Sequence, residues 1–274
     1  MKLILTLLVR DEADIIRENI LFHLNQGIDF IIATDNNSVD DTAEILRDFQ
    51  KRGVLHYIFE NEDDYSQSEW VTRMARMAIN QYCADWVINA DADEYWWPVR
   101  GNLKQTLEVI QDNINILQFE RADFVPVEDE NRPVFERMIY KRRESFNHLG
   151  RQLMPKVCHR ALKDVIVGQG NHTILSPAGI PVTKSGVVEI FHFPMRSYAQ
   201  FENKIKLGGA AYERNMKVNP KAGGGWRWLY ERYKEGTLPQ YYASKIITPD
   251  EVERMLSLGE LLIDERLRDY SCKI

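Results

Sequence analysis

The sequence predicts an α/β protein: a doubly wound, mainly parallel sheet, then a mixed-strand second half and a C-terminal helical extension. Apolar strand-like runs alternate strictly with amphipathic helical segments from Leu3 to about residue 112. Leu3 to Val9 is apolar without alternation, as a central strand covered on both faces should be. Between Ile114 and His192 short strand-like runs succeed one another with little helical periodicity, and helical spacing returns from Tyr198.

Taken in order, Leu3 to Val9 is the first strand, and a helix from about Ala13 to Gln26 buries Ile15, Ile16, Ile20 and Leu24 before Gly27 stops it. Phe30 to Thr34 is the second strand and ends in Asp35-Asn36-Asn37-Ser38. A helix from near Asp40 turns Ala43, Leu46 and Phe49 inward and ends at Gly53. Val54 to Phe59 is the third strand, Ser66 to Tyr82 a helix, and Trp86 to Ala90 the fourth strand. In the second half Ile116 to Phe119, Val134 to Lys141, Pro155 to His159, Val165 to Val167 and Val187 to Phe193 read as strands. A helix from Tyr198 turns Phe201, Ile205, Leu207 and Tyr212 inward, and Gly223-Gly224-Gly225 breaks it. The last helix opens on Thr248-Pro249-Asp250-Glu251, with Thr248 as cap, Pro249 in the first turn and Glu251 closing a capping box. Leu256, Leu261 and Leu262 are expected to pack it on the body. The expected organisation is a sheet domain over 1–197 and a helical extension over 198–274 packed on it.

The chain has 274 residues, 44% hydrophobic and 28% charged, which excludes disorder and allows one large domain. A net charge of −6 argues against nucleic acid as a partner. Three scattered cysteines, Cys83, Cys158 and Cys272, form neither a disulfide framework nor a zinc pattern and fit a reducing compartment. Leu3 to Val9 runs into Arg10-Asp11-Glu12 with no small-residue cleavage site, so it reads as a strand, not a leader. No stretch is long enough to span a bilayer. The expected location is the cytoplasm, with peripheral contact at the inner membrane face allowed.

The chemistry is expected at Asp91-Ala92-Asp93-Glu94, where the acidic run starts as the fourth strand ends. Ligands of open α/β sheets bind beyond the carboxyl ends of strands. Carboxylates this close repel, and a divalent cation offers compensation. Oxygen ligands favour Mg²⁺ or Mn²⁺, whose remaining positions a diphosphate fills. Arg10-Asp11-Glu12 and Asp35-Asn36-Asn37 follow earlier strands and should face the same crevice. Neither GxGxxG after the first strand nor GxxxxGK[ST] occurs.

These motifs resemble glycosyltransferase family 2, whose nucleotide-sugar-binding domain has the GT-A fold. Val9-Arg10-Asp11-Glu12 is similar to that family's first-strand segment, Asp35 to Thr42 to its D-x-G-S-T-D-G-T element, and Asp91 to Glu94 to its DxD motif. The resemblance makes 1–197 the catalytic domain of a metal-dependent, inverting transferase that moves a sugar from a nucleoside-diphosphate sugar to an acceptor hydroxyl. It implies a UDP-sugar as the favoured donor and a glycan or lipid-linked acceptor. It places Arg10, Glu12, Asp35, Asn37, Arg73, Asp91 and Ala92 on the nucleotide, with Arg76 an alternative to Arg73 and a surface ion pair an alternative for both. Asp93 is the implied metal ligand, Asp91 supports it through ribose or water, and His192, in a segment similar to one carrying a metal-binding histidine, joins Asp93 on Mn²⁺ or Mg²⁺. Gly168 to His172 is similar to an acceptor-side loop. Base candidates are His172, Glu189 and the Glu128-Asp129-Glu130 cluster. Rival readings are a haloacid dehalogenase-type phosphohydrolase using Mg²⁺ and a non-catalytic nucleotide-sugar or glycan binder. The aromatic and basic run from Trp226 to Lys234 suits sugar stacking, a lipid surface or helix packing.

Overall fold

The computed structural model describes residues 1–64, 66–127, 132–216 and 223–271. Contacts divide the chain into two compact units, Met1–Arg121 with Met154–Ile190, and Ala122–Leu153 with Phe191–Ile274. The first half alternates as expected: β1 (Leu3–Val9), α1 (Ile16–Asn25), β2 (Phe30–Asn36), α2 (Thr42–Lys51), β3 (Leu55–Glu60), α3 (Gln67–Asn80) and β4 (Trp86–Asp91). β5 (Glu94–Pro98), α4 (Leu103–Glu108), β6 (Ile116–Phe119), β7 (Arg121–Asp123), α5 (Val134–Arg137) and β8 (Tyr140–Arg142) follow. Next come β9 (Lys156–Arg160), β10 (Ile166–Val167), β11 (Ile174–Ser176), β12 (Val182–Lys184) and β13 (Val188–His192). The chain continues with α6 (Tyr198–Arg214), α7 (Gly224–Lys234), α8 (Leu238–Ala243), α9 (Pro249–Ser257), β14 (Leu261–Ile263) and α10 (Arg266–Ser271).

One sheet of seven strands, in the order β12-β6-β9-β4-β1-β2-β3, organises the first unit. β1 lies parallel between β2 and β4, and β3 continues parallel beyond β2. β9 runs antiparallel to both β4 and β6, and β12 is parallel to β6. Leu3, Ile4, Leu5 and Leu7 are wholly buried, which is why β1 shows no polar alternation. On one face α3 packs Val71, Met74, Ala75 and Ala78, spaced as a single helical stripe, with Ile4, Ile32 and Val87.

In the second unit Phe201 and Ile205 of α6 meet Leu229 of α7 and Leu238 and Tyr242 of α8. Glycine makes the α6–α7 approach possible: a Cβ on Gly209 would overlap the Tyr230 side chain, and one on Gly208 would lie 2.6 Å from the Trp226 ring. The run from Trp226 to Lys234 therefore includes helix-packing residues. A second cluster joins Val125 and Ile247 to Val252 and Met255 of α9 and Leu261 of β14. The expected capping box is present: Thr248 accepts from the Glu251 N–H, and Glu251 accepts from the Thr248 N–H.

Three local expectations are corrected. Val134 to Lys141, read as one strand, begins as the short helix α5, because Pro133 (φ −50°) pre-sets a helical start, and becomes strand only at Tyr140. Leu261 and Leu262 extend no helix; they lie in β14, antiparallel to β8. α1 begins at Ile16, not Ala13, since Asp11 takes a left-handed φ of 53° and the N–H groups of residues 11 to 13 bond elsewhere. Gly209→Ala is expected to destabilise the protein by about 1 to 3 kcal/mol through overpacking. Gly224→Ala, where a Cβ meets nothing within 4 Å among the described residues, should stay near wild type in the same denaturant titration.

Candidate active site

The parallel pairing of β1 with both neighbours brings their carboxyl ends to one edge of the sheet. Val9 lies opposite Asp35 and Leu8 opposite Asp91, so the first three sequence motifs share that edge. The first two loops are bonded into one piece. The N–H groups of Asp11, Glu12 and Ala13 donate to Ser38 Oγ, Thr42 Oγ1 and Asp40 Oδ2, and the Val39 N–H donates back to Asp11 Oδ1 at 2.7 Å. Asp11 and Asn37 (φ 58°) occupy the left-handed region, which Asp and Asn tolerate better than other side chains.

Asp35 is 1% exposed and both its oxygens are engaged: Oδ1 accepts the Ser38 N–H at 3.0 Å and Oδ2 accepts the Tyr57 hydroxyl at 3.0 Å. Burial and the neighbouring Asp35 raise the Tyr57 pKa, so the phenol keeps its proton and donates. Glu12 is buried. Arg10 pairs with Asp63 at 2.6 Å, and Asn37 donates to the Asn61 carbonyl. Arg73 pairs with Glu60 at 2.8 Å and Arg76 donates to the Val165 carbonyl.

The acidic turn between β4 and β5 is held from below and from the side. Below, the buried Asn19 amide on α1 donates to the carbonyls of Ala92 and Glu94 at 2.9 and 2.8 Å. One helical turn on, His23 accepts the Trp96 N–H at Nε2, which puts its proton on Nδ1, shared between the Asn19 carbonyl and side-chain oxygens. From the side, Lys156 on β9, 1% exposed, lies 2.5 Å from Asp91 Oδ2 and 3.0 Å from Glu94 Oε1. Arg121 reaches Glu94 Oε1 at 3.3 Å. Asn171, in the left-handed region (φ 59°), donates to Asp91 Oδ1 at 3.1 Å. The carboxylates expected to need a metal are thus balanced in part by two cations of the chain itself.

Sequence reasoning missed Lys156, Arg121, Asn19 and Tyr57. Lys156 had a signal: a lysine opening an apolar strand is almost never buried unless paired.

The loop from Gly168 to His172 is fixed to α3: the Gly170 N–H donates to Gln67, the Ser68 N–H to Gln169, and the Val167 N–H to Thr72. His172 bonds the Pro155 carbonyl through Nδ1 at 2.8 Å, so the lone pair is on Nε2. Burial, reinforced by Lys156 and Arg121, lowers its pKa to about 3, which makes it a poor proton acceptor near neutrality. Glu189 is half-buried on β13. In the second unit His192 Nδ1 lies 2.6 Å from Asp123 Oδ1, while Phe191 and Phe193 pack on Phe124 with ring centroids 5.2 and 4.5 Å away. Glu128, Asp129 and Glu130 lie outside the described residues.

Among the described residues no group of three or more His, Cys, Asp or Glu side chains is arranged to hold an ion. Asp93, 1% exposed, and Asp91 offer hard oxygen donors, and Asp91 is already bonded to Lys156 and Asn171. This set fits Mg²⁺ or Mn²⁺ completed by phosphate oxygens and water; it does not fit a closed cage.

A mainly parallel sheet with acidic loops at its carboxyl edge defines the class of ligand-binding α/β domains. The model of glycosyltransferase family 92 matches residues 6–176, well over half of the chain, and the chain belongs to that family. Family 92 stands where the strand-end motifs pointed to family 2. No curated protein matches. Among solved structures the chain is similar to S. aureus TarS, at 13% identity over 90% of this chain and 51% of that one, with a TM-score of 0.46. The chain thus spans about half of that protein. It is also similar to the mannosyltransferase PcManGT from Pyrobaculum calidifontis, solved with GDP-Man and Mn2+, at 14% identity over 94% and 79% of the two chains, TM-score 0.44. A third is glucosyl-3-phosphoglycerate synthase from Mycobacterium tuberculosis, at 15% identity over 44% of each chain, TM-score 0.33.

Asn19→Ala removes the side-chain donor to the buried Ala92 and Glu94 carbonyls and is expected to lower stability by about 1 to 3 kcal/mol in denaturant titration. Burial lowers the His23 pKa from 6.5 to about 4, against a smaller opposing contribution from the Asn19 carbonyl. The unfolded chain therefore takes up this proton first: the stability is full above pH 6.5 and is lost as pH falls toward about 4, at ~1.4 kcal/mol per unit. His23→Gln should remove one proton from the uptake measured on unfolding at pH 5.

Proposed function

We propose that the chain transfers a sugar from a nucleoside-diphosphate sugar to an acceptor hydroxyl. One observation carries the reading beyond the family: Asp35 and the Asp91 to Glu94 turn lie at one sheet edge on rigidly bonded loops. Glu12 and Asp35 hold the nucleoside, with Arg10, Asn37, Arg73 and Ala92 around it, and Asp91 takes ribose or a metal-bound water. Asp93 holds Mn²⁺ or Mg²⁺ together with the diphosphate. On the resemblance of its segment alone, His192 is a second ligand. Such an ion stabilises the charge of the departing nucleoside diphosphate.

In an inverting transfer the acceptor oxygen bonds to the anomeric carbon as the bond to the diphosphate breaks, and the hydroxyl proton passes to a base. With His172 held near 3, Glu189 is the stronger of the two described candidates. A UDP-sugar is the favoured donor and a glycan or lipid-linked hydroxyl the acceptor class. Among the described residues no helix is long and apolar enough to cross a membrane. We place the protein in the cytoplasm, with peripheral membrane contact through the aromatic and basic α7. We also propose that 1–197 is the catalytic part and 198–274 its helical extension.

Asp35→Ala should weaken binding of UDP or GDP by about 1 to 3 kcal/mol in calorimetry, the value of hydrogen bonds to a charged group; unchanged affinity in the folded variant would refute its role. Metal titration with nucleoside diphosphate present should show reduced Mn²⁺ affinity in both Asp93→Ala and His192→Ala. A wild-type result for His192→Ala removes it from the ligand set.

A further inference from the structure

Lys156 does something that neither the family nor the motifs assign. Its ammonium is buried between Asp91 and Glu94, and a lysine is taken out of water only where carboxylates repay the desolvation. Arg121 reaches the same Glu94 oxygen, Oε1. Asp91 and Glu94 are thus met by two positive charges, and that of Lys156 lies against both carboxylates. Next to the turn, Asn171 is wholly buried, with its Nδ2 on Asp91 and its Oδ1 without a hydrogen-bond partner among the described residues, an acceptor ready for a donor such as a ribose hydroxyl.

We propose that Lys156 is a tethered cation of the donor site, a positioning residue that supplies from within the protein part of the charge compensation a divalent metal brings. Nucleoside diphosphate binding then keeps a component that needs no metal. The inference rests on the reading of the Asp91 to Glu94 turn as the donor-diphosphate site. Its direction follows from charge: neutralising Lys156 leaves the turn one unit more negative toward a diphosphate, at a distance where that repulsion is weakly screened. A metal at the same turn then matters more, because it offsets the charge that was lost.

The test is calorimetric binding of UDP and GDP to the full chain, in EDTA and in saturating Mn²⁺, with melting temperatures recorded alongside. Lys156→Gln should lose about tenfold or more of the EDTA affinity and only about threefold or less of the Mn²⁺ affinity, and Lys156→Arg should stay near wild type in both. Equal losses in the two buffers, or none in EDTA, overturn the proposal, since a merely structural role does not distinguish them. Glu94→Gln keeps Lys156 paired to Asp91 and tests the same idea in the opposite direction, even where Lys156→Gln fails to fold. It should tighten binding in EDTA, and unchanged or weaker binding counts against the proposal. Wild-type protein that binds neither nucleotide in either buffer overturns the donor-site reading itself, whereas wild-type binding with an insensitive Lys156→Gln overturns this inference alone.

Discussion

Three carboxylates within four residues, at the end of a strand buried on both faces, are the constraint that shapes the first unit. Left alone they would repel and pull the end of β4 apart. The chain meets this with groups from four places: Asn19 on α1 below the turn, Lys156 on β9 and Arg121 at its side, and Asn171 on the loop after β10. His23 in turn fixes Asn19 and the Trp96 N–H, so a polar ladder inside the α1 packing sets where the acidic turn sits. Buried polar groups of this kind hold one conformation because each alternative leaves some of them unpaired.

The neighbouring loops are rigid for a different reason. Their backbone N–H groups are satisfied by short side chains across the gap, Ser38, Asp40 and Thr42 on one side and Asp11 on the other. Such short arms lose little freedom when they are fixed, compared with lysine or arginine. The same short-armed chemistry that makes Ser, Thr and Asp common in turns here ties two turns to each other. Asp35 presents a carboxylate already oriented by the Ser38 N–H and Tyr57, so in the proposed nucleoside-binding role it would need little further ordering.

The fold was readable where its signals were local. β1 to β4 and α1 to α3 are long, periodic segments separated by Gly27, Gly53 and polar turns, and each appears within a few residues of its expected bounds. β5, β7, β11, β12 and β14 are short, and their pairing is decided by distant segments, so nothing local announces them. The sheet edge of the site was legible, because a strand's carboxyl end follows from its direction. Its internal chemistry was not: Lys156 is 65 residues from Asp91, and Asn19 more than 70 from the carbonyls it holds. Arg73 pairs with Glu60, a contact whose partner no spacing rule links to it.

Most of the central sheet runs one way, and β9 does not. In a parallel strand the first residue lies at the edge opposite the ligands; reversal brings the first residue of β9, Lys156, to the edge where β4 ends. Its position there depends on register, with Ile88 opposite Cys158 and Trp86 opposite Arg160. Side chains on a strand alternate between faces, so a slip of one residue exchanges the lysine for Val157. The register of β9, not the length of the loop before it, therefore decides whether the strand edge ends in an ammonium group or in an isopropyl group, and with it the charge beside Asp91.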